Sequence, residues 1–258
     1  MSDIEKKFEA LVETVKRLRS PNGCPWDIEQ TSQSLIPFFI EEVYEVIEAI
    51  DNQDWDSVKE ELGDVMLHLI FQALIAEEQK KFKIHDSIDS INEKLVRRHP
   101  HVFEKEKADN SFQAKQNWES AKHIEKKRKS RIDGVPKALP SIIQAQRLQQ
   151  KASYSGFDWK NSKDVWKKID EEIEELKTAE KDGDIKQIEG ELGDAIFSLV
   201  NLARFLNISA ENALRKTNDK FKNRFRYIEG ALEKKGKKFE QTGLSELDKY
   251  WNEAKGNE

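Results

Sequence analysis

The strongest constraint on this chain is that it repeats itself. Phe39-Ile40-Glu41-Glu42-Val43-Tyr44-Glu45-Val46 resembles Ile169-Asp170-Glu171-Glu172-Ile173-Glu174-Glu175-Leu176, and Glu61-Leu62-Gly63-Asp64 is identical to Glu191-Leu192-Gly193-Asp194. Glu42 and Glu172 are 130 residues apart, as are Asp64 and Asp194. Asn92 to Arg98 resembles Asn218 to Arg224, and Trp118 to Lys122 resembles Trp251 to Lys255, at nearly the same offset. Four matches in one order mark a duplicated structural unit. The reading is therefore two copies of one domain, over 1–129 and 141–258. Residues 130–140 are the expected linker, because Gly134, Pro136 and Pro140 interrupt helical patterning there. A length of 258 residues gives each copy enough chain to bury a core of its own.

The repeated unit reads as helical. Eleven Gly and six Pro are few breakers for a chain that is 36% charged and 37% hydrophobic. Residues 2–18 open with a capping box, Ser2 with Glu5, and carry an apolar stripe of Ile4, Phe8, Leu11, Val15 and Leu18. A loop follows over 19–33, then helices near 34–50, 55–79, 87–98 and 115–129, with Pro100 expected to end the third of these. The second half predicts helices near 141–152, 163–181, 185–206, 209–235 and 245–255, with Asp184 and Ser209 as N-caps. No segment alternates for long enough to suggest a strand, so the expected class is all-α, a tandem repeat.

A formal net charge of −5 provides no broad basic face for nucleic acid. Cys24 is the one cysteine and has no disulfide partner within the chain, which suits a reducing cytoplasm. The first residues lack an apolar signal core, and the apolar run Val65 to Ala76 is too short to span a bilayer. Neither a nucleic-acid nor a membrane partner is expected.

The chemistry lies in the acids. On a helical wheel Glu41, Glu45 and Glu48 share one face, Phe39, Val43, Val46, Ile47 and Ile50 the opposite one, and Glu42 the border. Glu42 with Glu45, and Glu172 with Glu175, are i,i+3 pairs that point to one side. Glu61 and Asp64, and Glu191 and Asp194, have the same spacing but open helices that are apolar nearly all round, which predicts burial. Carboxylates there pay for desolvation and repel one another. A divalent cation resolves both problems, and a set of oxygen ligands suits a hard ion such as Mg²⁺, or Mn²⁺ in its place. Gly63 and Gly193, at one position in both copies, suggest close approach of a neighbouring helix. A ferritin-like di-iron site would call for Glu-x-x-His pairs, and Glu-Leu-Gly-Asp stands there instead.

The spacing EExxE, then fifteen residues, then ExxD resembles the MazG family of nucleoside triphosphate pyrophosphohydrolases. So do Leu18 to Asp27 with Gln30-Thr31, Arg97 to Phe103, Gly156-Phe157-Asp158-Trp159, Asn201 to Arg204, and Lys220 to Phe225. The resemblance implies helical bundles completed on homodimerisation. It also implies hydrolysis between the α- and β-phosphates of standard and non-standard nucleotides, with Mg²⁺ held by Glu42, Glu45, Glu61 and Asp64 and by Glu172, Glu175, Glu191 and Asp194. A dUTPase-like enzyme with a narrow pyrimidine preference, or a helical module that senses nucleotide without turnover, would share the acidic motif.

Such a site needs a proton acceptor for water and cations for a triphosphate. Glu171 and Glu41, each one residue before a ligand, are the candidate acceptors. Lys220 with Arg224, and Lys94 with Arg98, are i,i+4 pairs that suit a phosphate. Lys168 lies one turn before Glu172; Trp251 and Trp118 offer rings to a base; Asn201 completes the substrate set. The first copy has Phe38 and Phe71 where the second has Lys168 and Asn201, and His68, one turn after Asp64, reads as a core histidine. These differences favour the second copy as the main catalyst.

Overall fold

A computed structural model describes residues 2–104 and 109–257. All regular elements among them are helical, and no helix is long and apolar enough to cross a membrane. They form two compact units that divide between Ala108 and Asp109.

In the first unit, α1 (Asp3–Leu18) begins at the expected capping box. The Ser2 hydroxyl accepts from the Glu5 amide, and the Ser2 amide donates to the Glu5 carboxylate at 2.6 Å. The loop that follows contains a short α2 (Pro25–Glu29), started by Pro25 at its first position. Arg19 pins this loop. It forks onto both oxygens of Glu78 at 2.8 and 2.7 Å and also donates to the carbonyls of Asp27 and Gln30. Then α3 (Ile36–Asp51) and α4 (Trp55–Glu78) form a hairpin across a tight turn, with Asp54 capping α4. Val12, Val15, Leu35, Ile70, Phe71, Leu74 and Ile75 make the core. Pro100 stops α5 (Ile84–Arg98) as expected and starts the four-residue α6 (Pro100–Phe103), since a proline fits the first turn of a helix.

The second unit repeats the hairpin. Its α9 (Ser162–Asp182) ends at Gly183, whose φ of +76° belongs to the left-handed region, and Asp184 then caps α10 (Ile185–Phe205). Val165 and Ile169 pack on Leu202 between them. Against α10 lies α8 (Ser141–Tyr154), fixed by the Gln149 amide donating to the Phe197 carbonyl at 2.8 Å. Gln146 of α8 also bonds both Ile208 and Ala210 at the start of α11 (Ala210–Lys234), the helix that Ser209 caps. After a 3₁₀ turn, Phe239–Gln241, α12 (Leu244–Gly256) packs on α11 through Ile228, Leu232 and Tyr250.

Three expectations differ from the structure. The helix expected at 115–129 is α7 (Ser111–Glu125), capped by Asn110, and it packs with the second unit rather than the first. Its Glu119 reaches Lys151 of α8 at 2.6 Å and Arg147 at 3.1 Å, and its Gln116 reaches the Tyr154 carbonyl, so the contacts that hold α7 come from α8. Residues 130–140 also lie in that unit, where Ile132 lines a cavity. Secondly, α4 and α10 are not buried all round: Leu62, Met66 and Leu69 on one, and Leu192, Ile196 and Leu199 on the other, are exposed. Thirdly, a Cβ built on Gly63 or Gly193 meets nothing within 4 Å, so no helix among the described residues closes on them.

Candidate active site

Each hairpin turns its two acidic pairs toward each other. Glu42 and Glu45 on α3 meet Glu61 on α4, each offering an oxygen within 4.8 Å of the others. Glu172 and Glu175 on α9 meet Glu191 on α10 in the same way. Asp64 and Asp194, the expected fourth ligands, stand outside these tight groups. Asp64 is still near enough for its charge to act on Glu42.

The crowding shows in the electrostatics. Burial, a hydrogen bond with Glu45, and the charges of Asp64, Glu45 and Glu61 push the Glu42 carboxyl up to about 7. Burial and then neighbouring carboxylates, Glu45 and Asp64 first, also raise Glu61. Glu175 is raised by burial and the charge of Glu172, partly offset by Lys168. Clusters of carboxylates held in this way have the composition and spacing to take a divalent cation, which would supply the missing charge.

Around these clusters the two units differ. In the second, Lys168 spans Glu171 at 2.7 Å and Glu172 at 2.8 Å, and those hydrogen bonds hold its ammonium well above the usual lysine range. Beside it opens a cavity of about 570 Å³ that reaches Glu172 and Asp194 and includes Asn201. Arg204 closes one side, forked onto Asp158 and bonded to Asn201 at 2.9 Å. In the first unit the corresponding Phe71 is buried in the core, and the space beside the acids is a polar hollow of about 260 Å³ lined by Glu45, Asn52, Asp54 and Glu61. His68 is buried on α4 with its Nε2 3.9 Å from Glu42. Burial lowers its pKa against the raising charge of Asp64, so a neutral core imidazole is what the geometry supports.

Other expected residues are not among those that line the cavity of the second unit. Lys220 is exposed on α11, and Arg224 lies 5.2 Å over the Trp251 ring, which itself packs in the α11–α12 core and against Phe221. None of the three lines the cavity. On α5, Lys94 is half-buried and Arg98 fully buried. Glu41 is exposed, and Trp118 is half-buried on α7. Sequence reasoning missed Gln149 and gave no role to Phe157, Trp159 or Arg204, which build the cavity. The stretch Gly156 to Trp159 reads as a signature in the sequence, but nothing in its pattern tells which space it encloses.

The family model for the MazG nucleotide pyrophosphohydrolase domain matches twice, over residues 30–103 and 160–228, which are the two acidic hairpins and the helix after each. The chain belongs to the MazG family. The nucleoside triphosphate pyrophosphohydrolase/pyrophosphatase MazG of Thermotoga maritima is 48% identical over 97% of this chain and 96% of its own length. The nucleoside triphosphate pyrophosphohydrolase of Escherichia coli K12 is 38% identical over 98% of both chains. An uncharacterized Bacillus subtilis protein, YabN, is 45% identical over 98% of this chain but 52% of its own length. The two MazG matches fall one in each structural unit, so the internal repeat is a repeat of the family domain itself.

Proposed function

We propose that this nucleoside triphosphate pyrophosphohydrolase turns over its substrate chiefly in the second unit, with Mg²⁺ held by Glu172, Glu175 and Glu191 and approached by Asp194. The observation that carries this reading is the cavity beside that acidic cluster, with Lys168 at its edge. A bound Mg²⁺ would neutralise phosphate oxygens and make a bound water more acidic.

The protein's own groups do the rest. Water adds to phosphorus as the anhydride between the α- and β-phosphates breaks, giving the monophosphate and pyrophosphate, and its proton must go to a base. Glu171 is the candidate. Its carboxylate is tied to Lys168, so an arriving triphosphate that draws the ammonium onto its own oxygens frees Glu171 to accept the proton. Lys220 and Arg224 are proposed to meet the phosphates from α11, and Trp251 to support Arg224. Glu171→Gln is expected to lose about a hundredfold or more in kcat while binding Mn²⁺ like the parent. Unchanged turnover would remove Glu171 from this role.

We also propose a homodimer. On α10, Leu192, Ile196 and Leu199 form an exposed apolar stripe at helical spacing around the open Gly193, and on α4 Leu62, Met66 and Leu69 do the same around Gly63. Such faces mark sites of association. In the first unit Glu42, Glu45, Glu61 and Asp64 are proposed to hold a second Mg²⁺ of mainly structural effect, with Glu41, Lys94 and Arg98 as its counterparts of the catalytic and phosphate groups.

A further inference from the structure

Away from the acidic cluster, the second unit gathers cations that its own acids do not neutralise. On α7, Glu119 and Lys122 are three residues apart and share a side. On α8, Arg147 and Lys151 are four apart and face α7. The turn after α7 brings back a fourth cation, Arg128, whose amide bonds the His123 carbonyl at 3.2 Å. Burial, opposed by Glu119 and aided by the charges of Arg128, Lys151 and Arg147, lowers the Lys122 pKa. Four cations thus act together against one carboxylate.

That carboxylate is already spent. One oxygen of Glu119 takes Arg147 at 3.1 Å and the other takes Lys151 at 2.6 Å. Asp133, in the turn below, is engaged by the Ser130 amide at 2.9 Å. Lys122 and Arg128 are left without a counter-charge among the described residues. Arg128 Nη1 is buried and has no hydrogen-bond partner. Its guanidinium is held in place, lying so close over Gly134 that a Cβ there would overlap it, and the φ of +82° at Gly134 also favours glycine. A buried donor without an acceptor is costly, and so is like charge held out of water. Both costs are removed by an anion from outside the protein. None of the four cations lines the cavity beside the catalytic cluster.

We infer that Lys122 and Arg128, flanked by Arg147 and Lys151, form a second anion site that takes two linked phosphates, as in free pyrophosphate or the diphosphate of a nucleotide. A phosphate group carries about −1.5 to −2 charge at pH 7, and the flat fork of an arginine matches its oxygens. A single phosphate falls short of the surplus of three positive charges, whereas a linked pair meets it and spans two cations. Pyrophosphate is also a product of the enzyme. Bound here, it would join α7 to the turn that carries Ile132 into the cavity wall.

The test titrates sodium pyrophosphate into the metal-free, full-length protein by calorimetry, for the parent, Arg128→Gln, Lys122→Gln, Lys122→Arg and Glu172→Ala. The parent should bind one pyrophosphate per chain with a Kd under about 1 mM, more weakly as salt is added. Arg128→Gln and Lys122→Gln should each weaken binding about tenfold or more, because a charge-assisted hydrogen bond is lost. Lys122→Arg keeps the charge and should bind like the parent, as should Glu172→Ala. Without ligand, the urea midpoints of Arg128→Gln and Lys122→Gln should equal or exceed the parent's, since each removes a cation from a surplus. Pyrophosphate should raise the parent's midpoint and leave that of Arg128→Gln in place. Titration with ADP separates the two sources: ADP binding that falls in Arg128→Gln assigns a nucleotide-borne diphosphate, and ADP binding that is unmoved assigns the free ion. Initial rates of triphosphate turnover with Mg²⁺ should be equal in the parent and Arg128→Gln, so the site is judged apart from the placement of turnover. No binding by the parent, binding unmoved in both Gln variants, or binding lost in Glu172→Ala overturns the inference. Turnover lost in Arg128→Gln would put these cations on the substrate and overturn it too.

Discussion

Glu119→Gln should destabilise the second unit far more than removing a surface charge would. Lys151 is 4% exposed and Glu119 11%, and their 2.6 Å ion pair is one of the bonds that hold α7 to α8. Arg147 shares the carboxylate at 3.1 Å, and the charges of Lys122 and Arg147 also act on it. The substitution leaves a buried ammonium beside other cations with no counter-charge. Breaking a buried pair from one side costs about 3–5 kcal/mol. For a domain of this size that corresponds to a fall in Tm of roughly 6–20 °C. Urea unfolding followed by tryptophan fluorescence can read it, because Trp118, Trp159, Trp166 and Trp251 lie in the second unit. The pH dependence gives a second reading. Burial alone would raise the Glu119 carboxyl, but the Lys151 hydrogen bond and the surrounding cations outweigh it and hold the carboxyl below its ordinary value. A depressed carboxylate contributes stability that is present above its unfolded pKa and lost as pH falls through the folded one. The gap between parent and variant should therefore be full at pH 7 and shrink below about pH 4. Glu119→Leu with Lys151→Met should recover most of the loss, because no buried charge is then left over. A gap below about 1 kcal/mol, or one that is constant with pH, would refute the reasoning.

Glu42 has the opposite sign. Its carboxyl is raised to about 7, so its favourable contribution is complete below the ordinary carboxylate value and is lost as pH rises through 7. With chelator present, the first unit should unfold at lower urea at pH 8 than at pH 6, and Mg²⁺ should abolish the difference. Equal midpoints in chelator would contradict this. Leu192→Asp places a charge on the exposed stripe of α10 and should convert a dimer to monomer in sedimentation equilibrium with the helical circular dichroism unchanged. A parent that is already monomeric would remove the association proposal.

The helices were readable because their apolar stripes and caps are local. Ser2, Asp184 and Ser209 cap where the pattern placed them, and the repeat located both acidic clusters. The contacts that the sequence hid are between elements. Nothing near Glu119 indicates that its partner is Lys151 on the next helix, so the repeat alone places α7 with the first copy while its contacts lie in the second unit. Gln149 lies in a run of polar residues on α8, and its importance comes only from a carbonyl on α10 and the space beyond it. The apolar circumference of α4 and α10 suggested burial within one chain. In the structure one strip of each helix stays open, because the hairpin partner covers a single side.

The most direct test of the central claim is product analysis with purified protein, a panel of ribo- and deoxyribonucleoside triphosphates, and either Mg²⁺ or chelator. The parent is run beside Glu172→Ala and Glu42→Ala. Monophosphate and pyrophosphate are expected as products that disappear with chelator and with Glu172→Ala and largely persist in Glu42→Ala. Loss in Glu42→Ala with Glu172→Ala active would move turnover to the first unit, and diphosphate with phosphate as products would mean that a different bond is cut.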